Sequence, residues 1–568
     1  MTGTRIRQLL LLLLSFAIVA LGFFQMFART VGSMPMDFTV SLLAVGALFL
    51  TLWALLARFQ PYGSQTLIPC VVLLAGIGTL IIARIDVNQK TSVAQRQLLW
   101  LAAALALCCV LVAALRDYRI LRRFSYVSMV VGLVLLLAPM LPGLGHEEGG
   151  SRIWIKVGSY TMQPAEFAKL FLAFFFAAYL FDHRDQLAVG GRKVLGFRLP
   201  RIKDLGPIMI VWAVSMGVLV LQRDLGTSLM FFAMFVSMLY VATGRPSWIV
   251  IGVGAFALGA VAASMVFSHV GNRVNAWLHP FDTDVYNAVG GSEQIVKGVF
   301  GLAAGGLTGT GLGQGHPYIT PLSFSDFIYA SVGEELGLVG LLAILMLYLI
   351  IIGTGMVTAM KIKDGFGKLL ASGLVFTMAF QVFTVVGGVT LVIPLTGLTM
   401  PYMAAGGSSL IANMLLMALL VVISNAANKP QPDTTSDTFQ YEALAALREQ
   451  EVRERAEQLK ARAEQNAQAT QVIERPRHGA HAAVGATEDA DDGAGAAGGA
   501  YATGEAEATD VFDAYPYADD NADDDDADEL EELVETHEQP RVTDDMIEPH
   551  ARHAQHAHTA DVERGEHR

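Results

Sequence analysis

Residues 321–353 read PLSFSDFIYASVGEELGLVGLLAILMLYLIIIG. The stretch leaves a polar segment at Phe327 and enters an apolar span near Ile328, and no charged side chain interrupts it between Leu336 and Gly353. A run of this kind can cross the ~30 Å hydrocarbon core of a bilayer as a helix. Composition extends that reading to the whole chain: 53% of the 568 residues are hydrophobic and only 16% are charged, as in an integral membrane protein. Further apolar runs of bilayer-spanning length begin near Leu9, Phe38, Thr66, Leu98, Phe124, Ala165, Gly206, Leu225, Trp248, Phe366 and Ser408. The expected fold is therefore an all-α polytopic membrane protein of about 12 transmembrane helices, with a large extracytoplasmic loop between spans 9 and 10 and a disordered cytoplasmic C-terminal tail.

Basic residues orient the spans, because Arg and Lys in short loops are retained on the cytoplasmic side. Arg5 and Arg7 precede the first span, and Arg116, Arg119, Arg122 and Arg123 follow the fourth. Arg184, Arg192, Lys193, Arg198, Arg201 and Lys203 follow the sixth, Arg245 the eighth, and Lys361, Lys363 and Lys368 the tenth. All fall on one side when both termini are cytoplasmic. The first span has a basic lead without a small-residue cleavage pattern after it, and reads as an anchor. Cys70, Cys108 and Cys109 lie in apolar runs without metal-like spacing and read as small buried side chains.

The formal net charge of −13 belongs largely to the tail. Residues 1–65 read as additional N-terminal spans, 66–428 as the membrane core, 429–475 as a helical juxtamembrane segment and 476–568 as an acidic tail. That tail, with its Asp523–Asp526 run and scattered histidines, has too little apolar surface to fold. The chain shows no phosphate-binding glycine loop, zinc cluster or dinucleotide fingerprint, so nucleotide-driven chemistry is not expected and nucleic acid is not an expected partner.

The chosen orientation places four polar blocks outside. The first runs from Gly150 through Arg152, Trp154 and Lys156 to Gln163-Pro164-Ala165-Glu166-Phe167-Ala168-Lys169. Pro164 suits a first helical turn, where Glu166 meets the unpaired amides, and Glu166 and Lys169 share one helix face. That pair either neutralises itself or holds a cation ready for phosphate. The second block, Gln222-Arg223-Asp224-Leu225-Gly226-Thr227, offers Asp224 as a helix cap and Arg223 as a cation for a carboxylate or an anionic ligand. The third extends from His269 to Phe327 with Arg273, Asp282, Asp284, Gln294, a glycine string from Gly305 to Gly313, and Asp326, followed by Glu334-Glu335. Ionisable groups at a membrane face are functional candidates by default. Ser325 or Asp326 would cap the next helix, with Asp326 and Glu334 as alternative metal ligands; the glycines suit close turns. The fourth block is Pro394-Leu395-Thr396-Gly397-Leu398, then Pro401-Tyr402 and Gly406-Gly407-Ser408-Ser409.

These four blocks, in this order and between these spans, resemble the SEDS family of membrane peptidoglycan polymerases. The likeness covers roughly Pro69 to Asn428 and leans toward the actinobacterial RodA-like branch. It implies a glycosyltransferase that joins lipid II into glycan strands at the outer face of the bacterial cytoplasmic membrane, releasing undecaprenyl pyrophosphate. It also implies a class B penicillin-binding protein, a transpeptidase, as partner, besides lipid II, the undecaprenyl-linked glycan and membrane lipid. An essential aspartate of the large outer loop falls on Asp284, with Asp282 in reserve; Val285 stands where the family usually has proline, and Glu293 precedes Gln294 where tyrosine is usual. Ala404 and Ala405 replace a frequent serine and tyrosine. The chemistry asks for a general base on the acceptor hydroxyl, a role Asp284 fits, and for cationic stabilisation of the leaving pyrophosphate. Arg223, Lys169 and Arg273 are the cations available, with Glu166, Asp326 and Gln294 as further substrate-binding candidates, and Mg or Mn as a divalent cation that could assist. The alternative reading is a transporter, a flippase of lipid-linked peptidoglycan precursor, whose outer charges guide the headgroup.

Overall fold

All twelve apolar runs are helices. The computed structural model describes residues 3–148, 151–158, 160–184, 193–194, 197–198, 202–430 and 447–462. In chain order the helices are α1 (Gly3–Thr30), α2 (Met36–Phe59), α3 (Leu67–Gln89), α4 (Val93–Ala114), the single turn α5 (Ile120–Arg123), α6 (Ser125–Leu137), α7 (Pro164–Asp182), α8 (Ile202–Leu221), α9 (Leu225–Thr243) and α10 (Ser247–Val266). They continue as α11 (Ser268–Leu278), α12 (Thr283–Asn287), α13 (Glu293–Gly305), α14 (Ile328–Lys361), α15 (Gly365–Val389) and α16 (Gly407–Asn428). Ten of them are long and apolar enough to cross a membrane, and the apolar stretches Ser125–Met140 and Gly206–Leu221 are shorter. The chain is a multi-pass helical membrane protein.

Successive spans run antiparallel, so α7, α9, α14 and α16 begin at the same end of the bundle at which α1, α3 and α15 finish. That end, called here the polar end, carries the four blocks. Helices α3, α7, α15 and α16 are buried over most of their surface and form the centre, whereas α10 buries only Gly252 and presents its apolar side chains outward. Helices α1 and α2 pack on α3 and α4 respectively, so the N-terminal pair is part of the same bundle. Arg5 shows how: 2% exposed at the start of α1, it donates to the carbonyls of Gln60, Pro61 and Gly63 and to Gln8, which satisfies a charge that would otherwise be costly in this setting.

The segment read as one large loop is in fact mostly helical, being built from α11, α12 and α13 followed by a glycine-rich stretch. The glycines earn their place by conformation: Gly306, Gly309, Gly311 and Gly313 all have positive φ. The stretch packs into a break in α14 at Gly337 (φ 66°, ψ −170°). Thr310 and Gly311 donate their amides to the carbonyls of Glu334 and Glu335, at 2.9 and 3.1 Å, before the break. After it, the amides of Leu338 and Val339 donate to Gly306 and Leu307, at 3.0 and 3.1 Å. A broken helix inside a membrane protein persists only where the freed backbone groups are paired in this way. Residues 394–406 are likewise irregular backbone held inside protein, with Met400, Tyr402 and Met403 buried and Tyr402 donating to the Asn413 carbonyl at 3.1 Å.

Between α6 and α7 a three-stranded antiparallel sheet forms from β1 (Gly145–Glu148), β2 (Ser151–Val157) and β3 (Tyr160–Met162). Of the basic loop after α7, Arg192 and Arg201 lie outside the described residues, as does Gly150 in the first block. The chain divides into two units, residues 1–452 and 453–568. Of the expected juxtamembrane helix, residues 447–462 are helical with every side chain exposed; residues 431–446, 463–475 and the acidic tail from 476 lie outside the described residues.

Candidate active site at the polar end of the bundle

Helix α7 starts with Pro164 at its first position, where the missing amide costs nothing. One turn later Lys169, 1% exposed, donates from Nζ to Glu166 Oε2 at 2.6 Å and to Gln381 Oε1 and Asn413 Oδ1, each at 3.2 Å. Those acceptors come from α15 and α16, so three central helices are tied at one ammonium, whose three protons are all engaged. The geometry makes Lys169 and Glu166 an internal ion pair and takes Lys169 out of reach of a ligand in this conformation.

The second block is a tight turn between α8 and α9. Arg223 adopts φ 60°, a conformation a side chain rarely takes, and its side chain is exposed. Asp224 caps α9: Oδ1 accepts from the Thr227 amide at 3.0 Å and Oδ2 from Gln163 Nε2 at 3.3 Å. Burial raises its carboxyl above the usual range, while the Thr227 hydrogen bond and Arg273 pull it back. Gly226 sits where any Cβ would lie 2.9 Å from the Thr396 carbonyl, which brings the second block against the fourth.

Helix α11 supplies Arg273, whose Nη1 donates to the carbonyls of Thr396 at 2.8 Å and Leu395 at 3.3 Å. Trp277, one turn on, donates from Nε1 to the Leu391 carbonyl at 2.9 Å. Burial lowers the basicity of Arg273, and Asp224 and Asp326 oppose that shift. Asp326, partly exposed in the turn before α14, has its carboxyl pushed up to about 6 by desolvation, with Arg273 working in the other direction. Neither Asp326 nor Ser325 caps α14; Phe327 occupies the cap position and Ser325 turns back to the Leu322 carbonyl. Arg273, Asp224 and Asp326, with Arg223 nearby, thus gather residues from the second and third blocks around the carbonyls of the fourth, and Gln163 of the first block joins through Asp224.

Asp282 and Asp284 lie apart from this group in contact terms. Asp282 stands at the start of α12 and faces His279 at 3.8 Å, and Asp284 occupies the first turn; both are exposed. Asp284 makes no ion pair or side-chain hydrogen bond among the described residues, and Gln294, half-buried at the start of α13, makes no side-chain hydrogen bond among them either. Among the described residues no group of three or more His, Cys, Asp or Glu gathers to hold a metal.

A second charged group escaped the sequence reading. Arg84 of α3 donates from Nε to Glu335 Oε1 at 3.1 Å, from Nη1 to Asn88 at 2.7 Å and from Nη2 to the Gly315 carbonyl at 2.7 Å; Glu335 also accepts from the Gly313 amide, and Glu334 from the His316 amide. It clamps the glycine-rich stretch into the broken helix. The available signal was an arginine inside an apolar run, where an unpaired charge is costly.

Fold and site together define a polytopic membrane protein with a half-open cluster of arginines and carboxylates at one end, suited to an anionic, lipid-borne ligand. Residues 64–429 match the FtsW/RodA/SpoVE family, described as cell cycle protein, and the chain belongs to that family. It is 44% identical over 431 residues to the peptidoglycan glycosyltransferase RodA of Mycobacterium tuberculosis, covering 74% of this chain and 91% of the relative. With the stage V sporulation protein E of Bacillus subtilis it shares 32% identity over 314 residues, 54% of this chain and 80% of the relative. A solved chain from a peptidoglycan synthase complex that coordinates polymerization and crosslinking superposes with a TM-score of 0.52 at 25% identity, over 65% of this chain and 99% of that chain.

Proposed function

We propose that this protein is a peptidoglycan glycosyltransferase that polymerises lipid II into glycan strands, releasing undecaprenyl pyrophosphate at the outer face of the cytoplasmic membrane. The observation that carries the reading is the convergence of all four polar blocks on one end of a bundle that is otherwise apolar, in a chain similar to RodA along most of its length. Both termini are cytoplasmic in this reading, because the basic residues cluster opposite the polar end.

Arg273 and Arg223 would meet the charge that develops on the departing pyrophosphate. Arg273 is preorganised by the carbonyls it holds, and such a group stabilises charge more strongly where water is scarce. Asp284 would take the proton of the acceptor hydroxyl as it attacks the anomeric carbon, a contribution of roughly 10²- to 10⁴-fold. Its exposure on α12 suits a base that closes on substrate, since catalytic hydrogen bonds are often open in a free enzyme. A class B penicillin-binding protein is the partner in this reading, supported by the synthase complex that shares the fold. Any divalent cation would take most of its ligands from phosphate oxygens, as magnesium commonly does.

Purified protein given labelled lipid II, alone and with a cognate class B penicillin-binding protein, should make glycan strands, and Asp284→Ala should make none while inserting and folding normally. Activity retained by that variant and lost in Asp282→Ala would move the base to Asp282. No strands from wild type in either condition would overturn the reading in favour of transport.

A further inference from the structure

The inward stripe of α11 carries three polar side chains one turn apart, His269, Arg273 and Trp277, and residues four apart stack on one helix face. Two of the three have hydrogen-bond partners: Trp277 reaches the Leu391 carbonyl and Arg273 the carbonyls of Leu395 and Thr396. His269 does not. Its Nε2 is buried and has no hydrogen-bond partner among the described residues. A buried polar atom left without a partner costs about 1–3 kcal/mol, so its persistence calls for an explanation such as a ligand that supplies the missing group.

The surroundings say which kind of ligand. The charged groups that act on the imidazole are Arg223, from the α8–α9 turn, and Arg273, from its own helix; after burial, these two cations are what lower its basicity. The ring is therefore held toward its neutral form and can present an N–H to an acceptor without adding a third charge. Asp224 and Asp326 act on Arg273 and offer no hydrogen bond to His269. Arg223 is held at a left-handed turn with its side chain exposed, so its guanidinium is available to an incoming anion.

We propose that His269 is a third donor, beside Arg223 and Arg273, in a binding site for the diphosphate group of a lipid-linked sugar. This rests on the polymerase reading but has its own readout. In this arrangement Nε2–H points at a diphosphate oxygen, Arg223 covers the open side, and Arg273 anchors the site to the 395–396 carbonyls.

The test is calorimetric titration of the purified full-length protein with inorganic pyrophosphate, comparing wild type, His269→Ala and His269→Gln, with lipid II polymerisation measured in parallel. His269→Ala should weaken pyrophosphate binding about tenfold, the loss expected of one hydrogen bond to a charged group, whereas His269→Gln, whose amide restores a donor, should stay within about threefold of wild type. Arg223→Gln, at an exposed turn, should weaken the same titration without lowering thermal stability. Equal affinity in wild type and His269→Ala, or no pyrophosphate binding by wild type, overturns the proposal. Reduced polymerisation by His269→Ala with unchanged pyrophosphate affinity makes the residue a packing element and also overturns it. Loss of affinity in His269→Ala from a wild-type protein that makes no strands would leave the site standing and remove the polymerase reading.

Discussion

Two cations at the polar end, Lys169 and Arg273, show opposite solutions to the same problem. Lys169 is sealed, with three acceptors for three protons and a carboxylate at 2.6 Å. Arg273 is half-open: it is held by two carbonyls and lies near Asp224 and Asp326, within a neighbourhood that also contains the exposed Arg223 and His269, whose Nε2 has no partner among the described residues. The difference teaches that charge alone does not identify a ligand site here. A buried charge with all its valences filled ties helices together, and one with spare capacity beside unsatisfied neighbours is ready for something else.

The strongest way to break the comparison is to open the sealed pair. Lys169→Ala leaves Glu166 as an uncompensated buried charge and should cost about 3–5 kcal/mol, seen as a large fall in thermal midpoint in detergent. Lys169→Met combined with Glu166→Leu removes both charges and should recover most of that loss. If Lys169→Ala folds like wild type but no longer binds pyrophosphate, the assignment of the two regions is reversed.

A smaller effect is expected at Asp224, whose carboxylate caps α9 next to the open cluster. Asp224→Ala removes the acceptor for the Thr227 amide and should destabilise by about 1 kcal/mol. Asp224→Asn keeps the acceptor and should recover stability. Equal losses of stability in Asp224→Asn and Asp224→Ala would show that charge, rather than capping, is what the position supplies.

A further effect is a pH slope from Asp326. Its carboxyl, at about 6 in the folded protein, lies above the value near 4 expected in an unfolded chain. Between those values the folded state holds a proton that the unfolded state has released, so this group's contribution is fully present below pH about 4 and is lost as pH rises through about 6. Asp326→Asn should flatten the corresponding part of a plot of thermal midpoint against pH from 4.5 to 7. An unchanged slope would mean that the carboxyl is ionised throughout that range.

Much of this was legible in the chain. Each of the twelve apolar runs became a helix because hydrocarbon tolerates few other backbone conformations, and the turn role of the glycines from Gly306 to Gly313 followed from their freedom at positive φ. Asp224 capped the helix that its position before Leu225 suggested. The expected cap at Ser325 or Asp326 did not form, because the turn from Leu322 to Phe327 directs Ser325 back on itself. Arg84 and Glu335 were not paired in advance, since 251 residues separate them and local pattern carries no information about which distant carboxylate an arginine will meet.

The sequence by itself determined that this is a polytopic membrane protein, where its spans begin, which four blocks are polar and which family they resemble. Those properties follow from transfer free energies and local backbone preference, both of which act residue by residue. Only the tertiary structure decided that Lys169 is locked between α15 and α16, that Arg273 bridges α11 to the fourth block, and that His269 Nε2 is buried near two arginines without a hydrogen-bond partner among the described residues. Whether a charge is satisfied depends on acceptors brought from elsewhere in the chain, and helix packing is what brings them.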